Sequence, residues 1–202
     1  MTHRSLRFLL PALALVLALP VAALPAAAQT AAAQTVDTYT IDAVHSNVGF
    51  RIRHLVSKTA GRFGGIQGKV LVDTKDITKS SVTVSIDTAT ISTNSEARDN
   101  HLKSEDFFDV AKFPAITFQS TTVAQVAEGK LNVTGTFTMH GVAKTITIPV
   151  SNLGTTAGMK PGSVVAGFEG AITLKRSDYG MSKMIGPLGD EVEVTLNIEA
   201  GK

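Results

Sequence analysis

Cysteine and tryptophan are absent from the 202-residue chain, and tyrosine occurs only twice. Without cysteine there is no disulfide, no thiol nucleophile and no N-terminal cysteine to carry a lipid, so stability rests on burial and hydrogen bonding. An excess of charge is also missing: 19 Lys and Arg stand against 17 Asp and Glu. Arg4 and Arg7 supply that whole excess, and a balanced domain lacks the basic footprint of a polyanion binder, which argues against nucleic acid. There is no G-x-S-x-G elbow, no glycine-rich phosphate cradle and no pair of histidines at i and i+4.

What is present divides at the start. Arg4 and Arg7, with no acid nearby, precede an apolar run from Phe8 to Leu24, which dissolves into Ala26-Ala27-Ala28 and Ala31-Ala32-Ala33. This is the pattern of a secretory signal peptide over residues 1–33, cut after Ala28 or Ala33. The run approaches the length of a membrane span, but its prolines and alanine-rich end favour cleavage. The expectation is an exported, periplasmic protein with no membrane span after cleavage, whose single domain occupies residues 34–202.

Over that domain the dominant period is two. Val48, Phe50 and Ile52 alternate with Gly49, Arg51 and Arg53 within a run from Val44 to His54. The same alternation recurs over Ile66–Asp73, Val82–Asp87, Ile116–Gln119, Leu131–Thr138, Thr145–Ile148, Val164–Lys175 and Glu191–Glu199. One apolar and one polar face per strand belong to antiparallel sheet with a wet side, here eight candidate strands. The sequence predicts an all-β fold, an extended antiparallel eight-stranded barrel, with short helical turns in one long connection. That connection is the charged stretch Ser95–Asp109, with Ser104 read as an N-cap for Glu105, Asp106 and Phe107. Leu153–Pro161 reads as an exposed loop, and His140-Gly141 as a hairpin turn.

Eight strands make a barrel that is either just filled by side chains or holds one small ligand. The inward set Val164, Ala166, Phe168, Gly170, Ile172 and Leu174 mixes large and small residues, as do Gly135 between Val133 and Phe137 and Gly68 between Ile66 and Val70. Small side chains meeting large ones in a solid core account for this pattern as well as a tunnel does.

Six stretches carry a more specific signal. They are Tyr39–Phe50 (YTIDAVHSNVGF), Arg98–Asp109 (RDNHLKSEDFFD), Phe113–Phe118 (FPAITF), Gly135–Lys144 (GTFTMHGVAK), and Arg176–Gly180 (RSDYG) with Gly189–Val192 (GDEV). In order and content they resemble the YceI-like family, with Tyr39 where many members carry tryptophan and Ile66 where an aromatic is common. The resemblance implies a lipocalin-like barrel that binds polyisoprenoids or other long amphiphiles in an interior tunnel, in members often exported to the periplasm. On that implication an apolar chain would lie along the side chains read as facing inward: Val48, Phe50, Ile52, Val84, Phe107, Phe108, Phe118, Phe137, Ala166, Phe168 and Ile172. It implies no cofactor beyond a bound isoprenoid lipid such as a quinone.

His45, Arg98, Asp99, His101 and His140 are candidates for a rim that holds a ligand's polar head. Equally, Asp42 with His45, and Arg98 with Asp99 and His101, serve to tie loops to the barrel by charge-assisted hydrogen bonds. No catalytic residue and no metal site is nominated by spacing. Two other readings stay open: a metal-dependent enzyme using the rim histidines, and a non-catalytic stress or interaction protein with a filled core. A long flat edge strand is a route to a homodimer.

Overall fold

The computed structural model describes residues 35–202; the signal peptide expected over residues 1–33 lies outside the described residues. Among the described residues there are ten strands and one α-helix. The strands are β1 (Val36–Ile41), β2 (Asn47–His54), β3 (Ser57–Phe63), β4 (Ile66–Asp73) and β5 (Ser81–Asp87). They continue with β6 (Ala115–Ala127), β7 (Lys130–Met139), β8 (Val142–Ala157), β9 (Val164–Lys175) and β10 (Leu188–Gly201), while α1 spans Glu96–Lys103.

Ten strands make eight ribbons because two ribbons are broken. Both β1 and β2 run antiparallel along the same side of β10, with Ile41 opposite Ala200 and Asn47 opposite Asn197. Likewise β3 pairs with β2, and β4 pairs with β1. The remaining ladder runs β4-β5-β6-β7-β8-β9-β10, and the β1–β10 pairing closes it. The fold is therefore the closed, lipocalin-like, eight-stranded antiparallel barrel expected from the sequence.

The break at residues 42–46 is built by side chains. Asp42 accepts from the backbone N–H of Val44 at 2.8 Å and of His45 at 3.3 Å. Ser46 Oγ donates to the Glu199 carbonyl at 3.1 Å and accepts from the Glu199 N–H at 3.0 Å. The hydroxyl thus stands in for the ladder bonds that β10 would otherwise lose. The expected strand start at Val44 is corrected: Val44 is in this turn, and the strand begins at Asn47.

Alternating hairpins place four connections at one end of the barrel: Leu55-Val56, residues 88–114, His140-Gly141 and residues 176–187. This is called the upper end. Above Arg62, which exchanges two backbone bonds of 2.9 Å with Ser92, β3 has no second strand beside it. Residues 88–114, which include α1, lie beside that parting. Phe108 meets Phe63 edge-on, with centroids 5.4 Å apart.

The helix lies one step earlier than the sequence reading put it. Ser95 occupies the N-cap and Ser104 the C-cap, where Ser104 Oγ donates to the His101 carbonyl at 2.7 Å. The exposed-loop reading of Leu153–Pro161 is corrected too: β8 continues to Ala157 through an irregularity between Asn152 and Gly154. His140-Gly141 forms the expected two-residue turn, with φ of 51° and 75°.

Glycine 135 does not leave a hollow. A Cβ there would lie 2.3 Å from the Gln119 carbonyl oxygen and 2.7 Å from the Phe118 ring. Gly68 is similarly closed off, by the Thr83 carbonyl oxygen at 2.1 Å. Both glycines allow close approach of neighbouring strands. Gly135→Ala is expected to destabilise the fold by about 1–3 kcal/mol in urea titration, as overpacking does. Gly167→Ala, where a Cβ meets Leu153 at an ordinary 3.4 Å, is expected to fall within about 1 kcal/mol of the unmodified protein.

Candidate functional site

The inward faces of the ribbons do not close on one another. They enclose a cavity of about 440 Å³, within the range of small-molecule sites. Its wall is made of inward apolar side chains from every ribbon, among them Val48, Phe50, Val84, Phe118, Phe137, Leu174 and Val194. Connections line both ends. Arg98, His101, Leu102, Phe107, Phe108, Met181 and Met184 come from the upper end, and Ile77 and Ser80 from the lower.

Several of these side chains are only half-buried despite facing the barrel's inside: Phe50, Val84, Phe137, Phe168, Ile172, Val194 and Leu196. The surface they leave open faces the cavity wall. Around it the core is packed. Tyr39, Ile41, Ile66, Ala166 and Ala200 form part of one cluster, and Phe118, Val123, Leu131, Val133 and Ile148 form another.

Ten of the eleven inward residues named from the sequence line the cavity: Val48, Phe50, Ile52, Val84, Phe107, Phe108, Phe118, Phe137, Phe168 and Ile172. Ala166 does not. It is 1% exposed and packed in the core cluster. Of the rim candidates, Arg98 and His101 reach the cavity.

Asp99, His45 and His140 do not line it. Asp99 accepts from the Thr93 N–H at 2.8 Å, while Arg98 donates to the Thr93 hydroxyl and carbonyl, each at 2.7 Å. These bonds fix the start of α1 to the strand-like segment before it. His140 has its Nδ1 3.0 Å from the Tyr179 carbonyl, and its ring is 4.6 Å from that of Phe113. It joins two upper connections.

His45 sits outside, at the break between β1 and β2. Its Nδ1 is 2.9 Å from Asp42 Oδ2 and 3.9 Å from Glu199 Oε1. Among the described residues this is the one group of three side chains spaced to hold a metal ion. None of the three lines the cavity, and the short His45–Asp42 bond accounts for their spacing.

The sequence reading missed the loop after β9. Arg176 is 4% exposed, and its guanidinium donates to the carbonyls of Gly189, Met181, Lys183 and Leu188 at 2.7–3.3 Å. Burial lowers its pKa, against the opposing influence of Asp190. This one side chain folds residues 176–189 over the barrel and brings Met181 and Met184 to the cavity. Asp106 clasps that loop to the helical connection, with His101 Nε2 at 2.9 Å and Lys183 Nζ at 3.0 Å. These partners, His101 first, hold the Asp106 carboxyl below the usual range.

The site is thus apolar along its length, with cations at the upper end. No buried side-chain polar atom among the described residues lacks a hydrogen-bond partner, so the wall itself presents no unsatisfied group deep inside that demands a polar ligand.

Residues 39–200 match the YceI-like domain family. A UPF0312 protein of Pseudomonas paraeruginosa is 41% identical over 157 residues, 77% of this chain and 81% of that one. BcnA of Burkholderia cenocepacia superposes with a TM-score of 0.70 at 25% identity, over 79% of this chain and 99% of its own. A polyisoprenoid binding domain from Saccharophagus degradans superposes with a TM-score of 0.62 over 80% and 97%; at 15% identity it shares the fold.

The exterior pair titrates in opposite senses. The shared hydrogen bond, as the largest cause, raises the pKa of His45 and lowers that of Asp42. The raised imidazole stabilises the fold below its ordinary pKa of about 6.5, and that contribution is lost as pH climbs through the raised value. The lowered carboxyl stabilises above about 3.9, and its contribution is lost as pH falls through the lowered value. The difference in Tm between the protein and His45→Gln is therefore expected to be greatest near about pH 5 and to shrink above about pH 8. A difference that is flat across this range would remove the pair's role in holding the strand break.

Proposed function

The chain belongs to the YceI-like domain family, and we propose that its barrel binds one long apolar molecule, an isoprenoid-type lipid such as a quinone or polyprenol, which it stores or carries in the periplasm. The observation that carries this reading is the half-open apolar surface inside the barrel. Water against Phe50, Phe137, Phe168 and Leu196 is unfavourable by roughly 25 cal/mol per Å². A hydrocarbon lying there removes that surface from water and makes the dispersion contacts the wall lacks. The ligand's affinity is then set by its length and apolarity, with its head contributing little.

The shape favours an extended chain. A strand of twelve residues such as β9 is roughly 40 Å long at the strand rise. With the tilt of a barrel strand its height is roughly 30 Å. A polar head suits the upper end, where Arg98 and His101 line the cavity. The lipid-binding name of the Saccharophagus neighbour, the family match and the expected signal peptide over residues 1–33 support the same reading.

Two measurements test it. Mass spectrometry of organic extracts from protein recovered from its own periplasm is expected to find a co-purifying isoprenoid; protein that neither carries one nor takes up added quinone or polyprenol would end the proposal. Ile172→Trp fills space in the cavity. It is expected to weaken uptake of a fluorescent polyprenol by about tenfold or more, while raising Tm by roughly 2 °C. In a solid core the same substitution overpacks and lowers Tm.

A further inference from the structure

The upper end of the barrel exposes apolar side chains where a soluble domain normally hides them. Leu55 is 62% exposed and Val56 96%, at the tip of the β2–β3 hairpin; Met184 is 46% and Ile185 48% exposed, in the loop before β10. The two pairs are neighbours. The Leu55 N–H donates to the Pro187 carbonyl at 2.9 Å, and His54 is opposite Leu188 in the ladder.

The backbone holds them out against its own preference. Leu55 has φ of 50° and Met184 φ of 59°, the left-handed region that glycine or asparagine enters readily and that a branched or long apolar residue does not. Such conformations persist where the surroundings impose them, and they concentrate at functional surfaces.

The patch also continues into the cavity. His54, Thr59, Met184 and Leu188 belong both to these two segments or their flanks and to the cavity wall. The two segments themselves, 53–58 (RHLVSK) and 181–188 (MSKMIGPL), contain Arg53, Lys58 and Lys183 and no acid. Lys58 pairs with Glu193, and Lys183 with Asp106. Arg51 and Arg53, exposed on β2, have no carboxylate within ion-pair distance among the described residues.

We infer that this end, Leu55-Val56 with Met184-Ile185, docks on an anionic phospholipid bilayer and seats the cavity's upper mouth against it. The apolar tips enter the boundary between headgroups and acyl chains, and the cations beside them face the phosphates. An apolar cargo then passes between two apolar phases without crossing water. The surface stands on exposure, backbone conformation and charge; only its purpose rests on the lipid-binding reading.

Flotation of residues 34–202, which close their own ladder and core, with vesicles of phosphatidylethanolamine and phosphatidylglycerol tests this. The protein is expected to float with these vesicles and much less with phosphatidylcholine alone. The double variant Val56→Asp, Ile185→Asp, altered at residues that do not line the cavity, is expected to lose about tenfold in vesicle binding. It should keep its Tm and its uptake of polyprenol from detergent. Val126→Asp, at an exposed apolar residue of the lower end, is expected to float as the unmodified protein does. Failure of the unmodified protein to float, equal capture by phosphatidylcholine, or a double variant that floats normally would each overturn the inference. Vesicle binding that persists in a protein unable to take up polyprenol would instead reject the cargo and leave the docking surface standing.

Discussion

The closure of one sheet on itself governs everything else in this molecule. Eight ribbons fix a barrel radius, and the radius decides how much of the inside the side chains can reach. Closure depends on the first ribbon lying along β10 in two pieces, β1 below and β2 above. The turn between them is held by Asp42 and Ser46 against Glu199. Without that seat the register of β1 against β4 and of β2 against β3 would have no common reference, and the cavity between them no defined wall.

The eight-ribbon plan was legible because each ribbon contributes at least one stretch of clean alternation. Two half-ribbons were invisible for physical reasons. In β3 the inward positions are Thr59, Gly61 and Phe63, and the Phe50 ring from β2 lies where a side chain of Gly61 would be. A neighbour's aromatic supplies the apolar surface, so the strand's own sequence looks polar. In β1 only Tyr39 and Ile41 are buried, too short a pattern to register as a period.

The cavity wall followed the same logic. Inward positions on strands were readable from alternation, and most border the void; Ala166 is instead packed within the core cluster, and Val164 also stands off the wall. The ends were less readable because they depend on where long connections fold. Nothing local marks Arg176 as a residue that gathers four carbonyls, so Met181 and Met184 gave no sign of reaching the interior. The histidines misled for a related reason. Polar residues in turns between strands look like a binding rim, yet His45 and His140 are committed to bonds that shape the turns themselves.

The four carbonyls around Arg176 have a mechanical consequence. Because a single guanidinium is shared by Met181, Lys183, Leu188 and Gly189, no one segment of that loop can shift without stranding a cation among oxygens meant for it. The loop is thereby coupled into one unit: displacing any one of these segments costs bonds of the shared buried cation.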